Sequence, residues 1–294
     1  MKLKKLVWVA GLMALLTGCS AGNTSSQSTS STDTASTATQ VATSSQDTSA
    51  SQTSSQAISS SAATNTTNDV NQDMYQQLAN TDFNSGDNVI LEVNQNKSTL
   101  NPNTWQQEKI DYGNLDNLNR TTTDTAYLSR QNLGRSAGRE GQRWQPTGWH
   151  NQPKYINGKR LYPQNRGHLL AYTITFNFDD EGRYQSGLSG SIDNPKNLAT
   201  QTDFSNKNPM QDYEEQVRDG LQADKKIIYQ VTTVFRGDEL MCRGYWVQAM
   251  STDGTVNFNA YVFNVEPNVV FNYSTGYSNV NNNFDVTYNG QIRS

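Results

Sequence analysis

From Ser20 to Val70 the chain is almost entirely Ser, Thr, Ala, Gln and Asn, without one aromatic, Lys or Arg residue. Such a stretch cannot bury enough apolar surface to offset the entropy of ordering its backbone, so no globular core can draw on it. Any fold must be built by residues 71–294, a length suited to one large domain. The stretch itself reads as a tether: about 50 flexible residues span roughly 40 Å r.m.s. on the scaling of Gly/Ser linkers.

Ahead of the tether, Met1-Lys2-Leu3-Lys4-Lys5 is basic and Leu6 to Leu16 is an apolar run too short to cross a bilayer. The run ends in Leu16-Thr17-Gly18-Cys19, which resembles a bacterial lipobox. That resemblance implies cleavage before Cys19 and a diacylglyceryl group on its sulfur; two acyl chains anchor where one would not. On this reading residues 1–18 are a signal, 19–70 a tether and 71–294 a domain held at the outer face of the cell membrane. A plainer reading is an ordinary signal peptide in which Cys19 is incidental. Cys242 is the one other cysteine, so a lipidated Cys19 leaves no intramolecular disulfide. Within the strand-like run from Leu240 to Trp246, Cys242 reads as a small apolar core residue.

Hydrophobic patterning predicts an α+β fold with a mainly antiparallel sheet. Ile227 to Phe235, Gly244 to Met250 and Val256 to Val265 read as three antiparallel strands, the last two joined by a turn at Asp253-Gly254. Asn88 to Asn94 reads as another. Lys154 to Tyr162 reads as a hairpin, because Asn157-Gly158 supplies the positive φ of a tight turn. A helix is predicted from Asn208-Pro209 onward, with Tyr213, Val217 and Leu221 as its apolar stripe.

Chemistry concentrates at Asn165-Arg166-Gly167-His168, directly after that hairpin, where Gly167 would allow a bend. The chain has two histidines. A neutral imidazole with pKa near 6.5 can take a proton from water at neutral pH. Mg²⁺ prefers oxygen ligands and keeps several waters, so an amide oxygen and a substrate phosphate make a plausible shell. Zinc is disfavoured, since no Cys/His cluster could complete a tetrahedral set. No Gly-rich phosphate loop follows a strand, which removes the nucleotide-cofactor classes. His150, in a turn-like stretch, reads as structural or as a contact at the substrate's edge.

The order of the motif, then Asn194-Pro195-Lys196-Asn197-Leu198-Ala199-Thr200-Gln201-Thr202-Asp203-Phe204-Ser205-Asn206, then Glu214-Glu215-Gln216-Val217-Arg218, resembles the DNA/RNA non-specific endonucleases of the ββα-metal type. The likeness is to the DNA-entry and secreted nucleases of Gram-positive bacteria, and it runs from about Ile156 to Val265. It implies a ββα-metal finger with His168 as general base, Arg166 beside it, Asn206 as the Mg²⁺ ligand (Mn²⁺ being the alternative ion) and Glu214 orienting the metal's waters. Asn197 and Gln201 match amides supporting the metal site. Asn165 departs from the family, which carries aspartate there. Glu214 and Glu215 cannot share a helix face, so one of them at most should enter the site.

A net charge of −4 argues against long-range attraction of nucleic acid by the whole chain. It leaves room for a local basic cleft from Lys154, Lys159, Arg160, Arg166, Lys196, Lys207 and Arg218, of which Lys196, Lys207 and Arg218 are the expected nucleic-acid contacts. The resemblance implies DNA, and RNA as well, as the substrate, cut with little sequence preference to leave 5′-phosphate and 3′-hydroxyl ends; no protein partner is inferable. Two other classes stay open: a surface lipoprotein that holds DNA without cutting it, and an adhesion module on a stalk.

Overall fold

The longest apolar runs form the middle of a six-stranded sheet: Ile227–Val234 (β8), Gly244–Ser251 (β9) and Asn257–Phe263 (β10), numbered by position in the chain. Beyond β10 lies Ile90–Glu92 (β1); beyond β8 lie Thr123–Leu128 (β3) and Lys109–Asp111 (β2), giving the order β1-β10-β9-β8-β3-β2. Every neighbouring pair is antiparallel, as the patterning predicts. The computed structural model describes residues 62–290, with side chains from Asn71 on. The signal segment, Cys19 and the tether up to residue 61 lie outside the described residues.

Both faces of the sheet are covered, which explains why its middle strands are buried almost continuously rather than at alternate residues. Successive residues of β9 point to opposite sides: Tyr245, Val247 and Ala249 enter one core cluster and Trp246 enters another. The first cluster is closed by Pro209–Gln222 (α3), whose Met210, Tyr213, Val217 and Leu221 are buried among Leu128, Tyr229 and Phe258. These are the expected stripe with Met210 added. The second is closed by Ala62–Asn80 (α1), which contributes Leu78 and Ala79 against Trp246, Tyr261 and Phe263. Phe235 N–H donates to Tyr75 Oη at 3.0 Å, and Arg236 Nε donates to Ala79 O at 2.7 Å, fixing the end of α1.

The helix α1 begins at Ala62, inside the stretch that composition reads as a tether. Composition is blind here for a physical reason. Once Leu78 and Ala79 anchor a helix, extending it upstream adds one bond per residue without a new nucleation cost.

Two hairpins flank the site. Lys154–Ile156 (β4) and Lys159–Leu161 (β5) pair around Asn157 at φ 49° and Gly158 at φ 77°, the turn chemistry read from the sequence. Val269–Phe271 (β11) and Ser278–Val280 (β12) pair in the Asn-rich tail, where no element is predicted. Lys154 Nζ donates to Ser278 O at 2.7 Å and joins the two hairpins.

Candidate active site

The motif is itself a strand. Gln164–His168 (β6) pairs antiparallel with Leu198–Thr202 (β7), setting Asn165 opposite Gln201, Arg166 opposite Thr200 and His168 opposite Leu198. β7 leads directly into Asp203–Lys207 (α2) and then α3. This corrects the expected arrangement, in which the motif follows the hairpin at 154–162 with a bend at Gly167. The two strands of the ββα unit are β6 and β7, separated by the irregular residues 169–197. A pairing across so long a connection leaves no local pattern to read.

Gly167 is corrected with it. It sits in regular strand backbone and provides proximity rather than a bend: a Cβ there would lie 2.0 Å from Gln201 Oε1 and 2.6 Å from Gln201 Cβ.

Between β6 and the two helices opens a cleft of about 650 Å³ lined by Asn165, Arg166, His168, Asn206, Glu214 and Arg218, with Lys207 beside them. His168 is half-buried, and its Nε2 lies 3.2 Å from Ile192 O. A carbonyl can only accept, so Nε2 carries the hydrogen and Nδ1 keeps the lone pair. Burial of the ring is the main reason its pKa falls to about 4; the Arg139 charge acts in the same direction and the Ile192 carbonyl opposes it. The imidazole is therefore neutral at pH 7.

Arg166 lies over the Trp149 ring at 4.6 Å, and its Nε is buried without a protein partner. Asn206 is half-buried on α2, and its side-chain amide makes no hydrogen bond among the described residues. On α3, Glu214 is half-buried and pairs with Arg218 at 3.5 Å, whereas Glu215 is exposed, so one glutamate enters the site as the helix geometry requires. Asn165 Nδ2 donates to Asp203 Oδ1 at 2.9 Å, and Lys207 Nζ reaches the same oxygen at 2.9 Å. A carboxylate thus stands one hydrogen bond from the position where the family's aspartate is replaced.

Three expected residues do not line the cleft. Asn197 is fully buried, with Oδ1 accepting from Leu170 N at 2.8 Å and Nδ2 donating to Leu170 O at 3.0 Å, so it holds the chain just after His168. Gln201 is fully buried behind β6, where Nε2 donates to Ser205 Oγ at 3.3 Å and Oε1 has no partner. Lys196 pairs with Glu181 at 3.2 Å outside the cleft. Cys242 packs in the core as expected, and burial pushes its thiol up to about 12.

The support beneath the site was not legible. Gln164 is fully buried; it accepts from His150 N at 2.7 Å and donates to Gly148 O at 3.2 Å and Gly276 O at 2.8 Å. Asn264 donates to Thr200 O and Cys242 O, each at 3.0 Å, and accepts from Thr202 N at 2.8 Å. Glu266 accepts from Phe204 N at 2.7 Å at the start of α2, and burial lifts its pKa to about 8. The one sequence signal for these three is a polar residue inside or flanking an apolar run, which is shared by many surface positions.

Residues 97–253, more than half of the chain, match the model of the DNA/RNA non-specific endonucleases. The chain belongs to that family. The endonuclease fold is also similar to NucA from Streptococcus agalactiae with a magnesium ion bound, at TM-score 0.59 and 25% identity, covering 71% of this chain and 96% of that one. NucA with no metal bound gives TM-score 0.58 and 26% identity over the same shares. The Sda1 nuclease with bound zinc ion shares the fold at TM-score 0.51 and 21% identity, covering 64% of this chain and 95% of that one. Among the described residues of this endonuclease, no group of three or more His, Cys, Asp and Glu is placed to hold a metal, and no helix is long and apolar enough to cross a membrane.

Proposed function

We propose that this endonuclease is Mg²⁺-dependent and hydrolyses phosphodiester bonds of DNA, and of RNA, with His168 as general base. The observation that carries the proposal is the imidazole in the wall of the cleft: Nε2 lies 3.2 Å from Ile192 O, which fits an Nε2–H tautomer in which Nδ1 keeps its lone pair. The donor set suits a hard ion, since the amide oxygen of Asn206 is unengaged in the cleft and the Glu214 carboxylate lines the same cleft, both oxygen ligands. Asn206 would hold Mg²⁺, with Glu214 orienting its water shell. When bound, the ion supplies Lewis-acid compensation for charge on the phosphate and on the leaving oxygen.

His168 Nδ1 takes a proton from the attacking water as its oxygen bonds to phosphorus. The P–O3′ bond breaks, the leaving oxygen takes a proton from solvent water and the imidazolium returns its proton to solvent, giving 5′-phosphate and 3′-hydroxyl ends. Arg166, whose guanidinium lies over the Trp149 ring in the wall of the cleft, is suited to a phosphate oxygen. Lys207 and Arg218 add positive charge along the cleft, although each is shared with a carboxylate. Contacts of this kind address phosphates rather than bases and fit low sequence preference. Asp203 beside Asn165 supports an active site over a DNA receptor that does not cut, because the carboxylate missing from position 165 is supplied from α2. Export and attachment through Cys19 belong to the same proposal and rest on the Leu16–Cys19 motif.

The test is cleavage of supercoiled plasmid in Mg²⁺, beside EDTA and His168→Ala. Loss in both controls is expected. Cleavage that survives His168→Ala would remove this base assignment.

A further inference from the structure

One stretch of the chain has a charge balance unlike the rest. From Gly141 to Phe178 there is no Asp or Glu, while Arg143, Lys154, Lys159, Arg160 and Arg166 fall inside it, in a chain of net charge −4. Among the described residues none of these five forms an ion pair, whereas Lys196, Lys207 and Arg218 all do. Unneutralised cations on an acidic protein mark the surface that a polyanion can approach.

The β4–β5 hairpin sits within that stretch and presents flat groups. Tyr155 is directly opposite Arg160 in the ladder, so both project from one face. The other face leans on β12 through Lys154. Tyr155 is 64% exposed, the most exposed of the large hydrophobic side chains among the described residues, and Tyr162 is 44% exposed. The Arg160 guanidinium lies 4.7 Å from the centre of the Tyr162 ring and is hydrogen-bonded to its hydroxyl, which limits its freedom. Only Tyr162-Pro163 separate the hairpin from β6. An extended chain covers Tyr162 to His168 in about 20 Å, a few nucleotides of single strand.

We infer that the Tyr155–Arg160 face of this hairpin is a base-stacking subsite for an unpaired nucleic-acid strand running out of the cleft. Aromatic rings and guanidinium planes accept bases of any sequence by stacking, and the surrounding cations track the backbone. A duplex has its bases stacked internally and cannot offer them to the hairpin. The subsite would therefore favour single strands, or frayed and nicked ends, over intact duplex. This inference rests on the nucleic-acid reading of the cleft.

The experiment uses the full chain in EDTA, where no turnover confuses binding, and three fluorescent ligands: a short DNA single strand, the same strand with abasic sites in place of its bases, and a blunt duplex. Tyr155→Ala and Arg160→Lys should each weaken binding of the single strand by about tenfold and barely change the other two, in line with the usual worth of one stacked base. Tyr155→Phe, which keeps the ring, should bind like the parent. Equal losses on all three ligands would mean charge without stacking and would overturn the inference, as would no loss on the single strand. Plasmid cleavage in Mg²⁺ tests the nuclease reading separately. If cleavage is absent while the Tyr155-dependent preference persists, the subsite stands and the catalytic reading falls.

Discussion

Acid tolerance gives the sharpest test of the proposed base. An ordinary imidazole of pKa 6.5 is only about one-tenth neutral at pH 5.5, whereas one at about 4 is roughly 97% neutral there. If His168 is the base, kcat/KM should hold nearly level from pH 7 to 5.5 and fall only toward pH 4, instead of losing about tenfold by pH 5.5. The same shift has a stability consequence. The fold disfavours the protonated ring, so its contribution is complete above the unfolded pKa near 6.5 and is lost as pH falls toward about 4, at a cost on the order of 3 kcal/mol. The assay is initial cleavage rate at low substrate and saturating Mg²⁺ against pH, with ring titrations followed by NMR. Two histidines in the chain make assignment a matter of one substitution. An acid limb centred near pH 6.5, matched by a His168 ring titrating there, would refute the argument that burial sets this base.

Other perturbations separate support from chemistry. Gly167→Ala puts a methyl 2.0 Å from Gln201 Oε1 in a fully buried contact, so a loss of about 1–3 kcal/mol in denaturant unfolding and a marked fall in cleavage are expected together. Asn206→Ala should leave Tm almost unchanged, because the amide has no hydrogen bond among the described residues, yet abolish Mg²⁺-supported cleavage. Asn264→Ala takes the Asn264 donor from Cys242 O and the acceptor from Thr202 N–H, while Thr200 O keeps Tyr245 Oη at 3.4 Å, so a loss of about 2 kcal/mol and a drop in Tm on the order of 5 °C by calorimetry are expected. Asn165→Asp would set two carboxylates against the one oxygen that Lys207 now neutralises. Its unfolding free energy should fall by about 1 kcal/mol at pH 7 and recover as acid protonates the pair.

Much of the core was readable because its signals are local. β8, β9 and β10 are long apolar runs, α3 shows its stripe at four-residue spacing, and Asn157-Gly158 names its own turn. Of the site, the side chains that line the cleft from β6 and α2–α3 could be listed from motif order. What holds them could not. β3, short and partly polar, finds its place only by pairing with β8, and β7 only by pairing with β6 across residues 169–197. Asn197 and Gln201 look alike in sequence as amides of one motif; burial makes the first a clamp on Leu170 and the second a packing surface for Gly167. Whether an amide faces a ligand or the protein is decided by the neighbour it meets, and that neighbour is distant in the chain.

The bonds made by Gln164, Thr202 and Phe204 to Gly276, Asn264 and Glu266 have a bearing on biosynthesis. A ribosome delivers β6, β7 and α2 long before it delivers the residues that pin them. While those partners are still untranslated, the strand with the histidine and the helix with the asparagine lack the three bonds that pin them to the later part of the chain. A growing chain is thus chemically unfinished at its centre until its last segment emerges. In an endonuclease built this way, the framework around the cleft is completed only when residues 264–276 are in place.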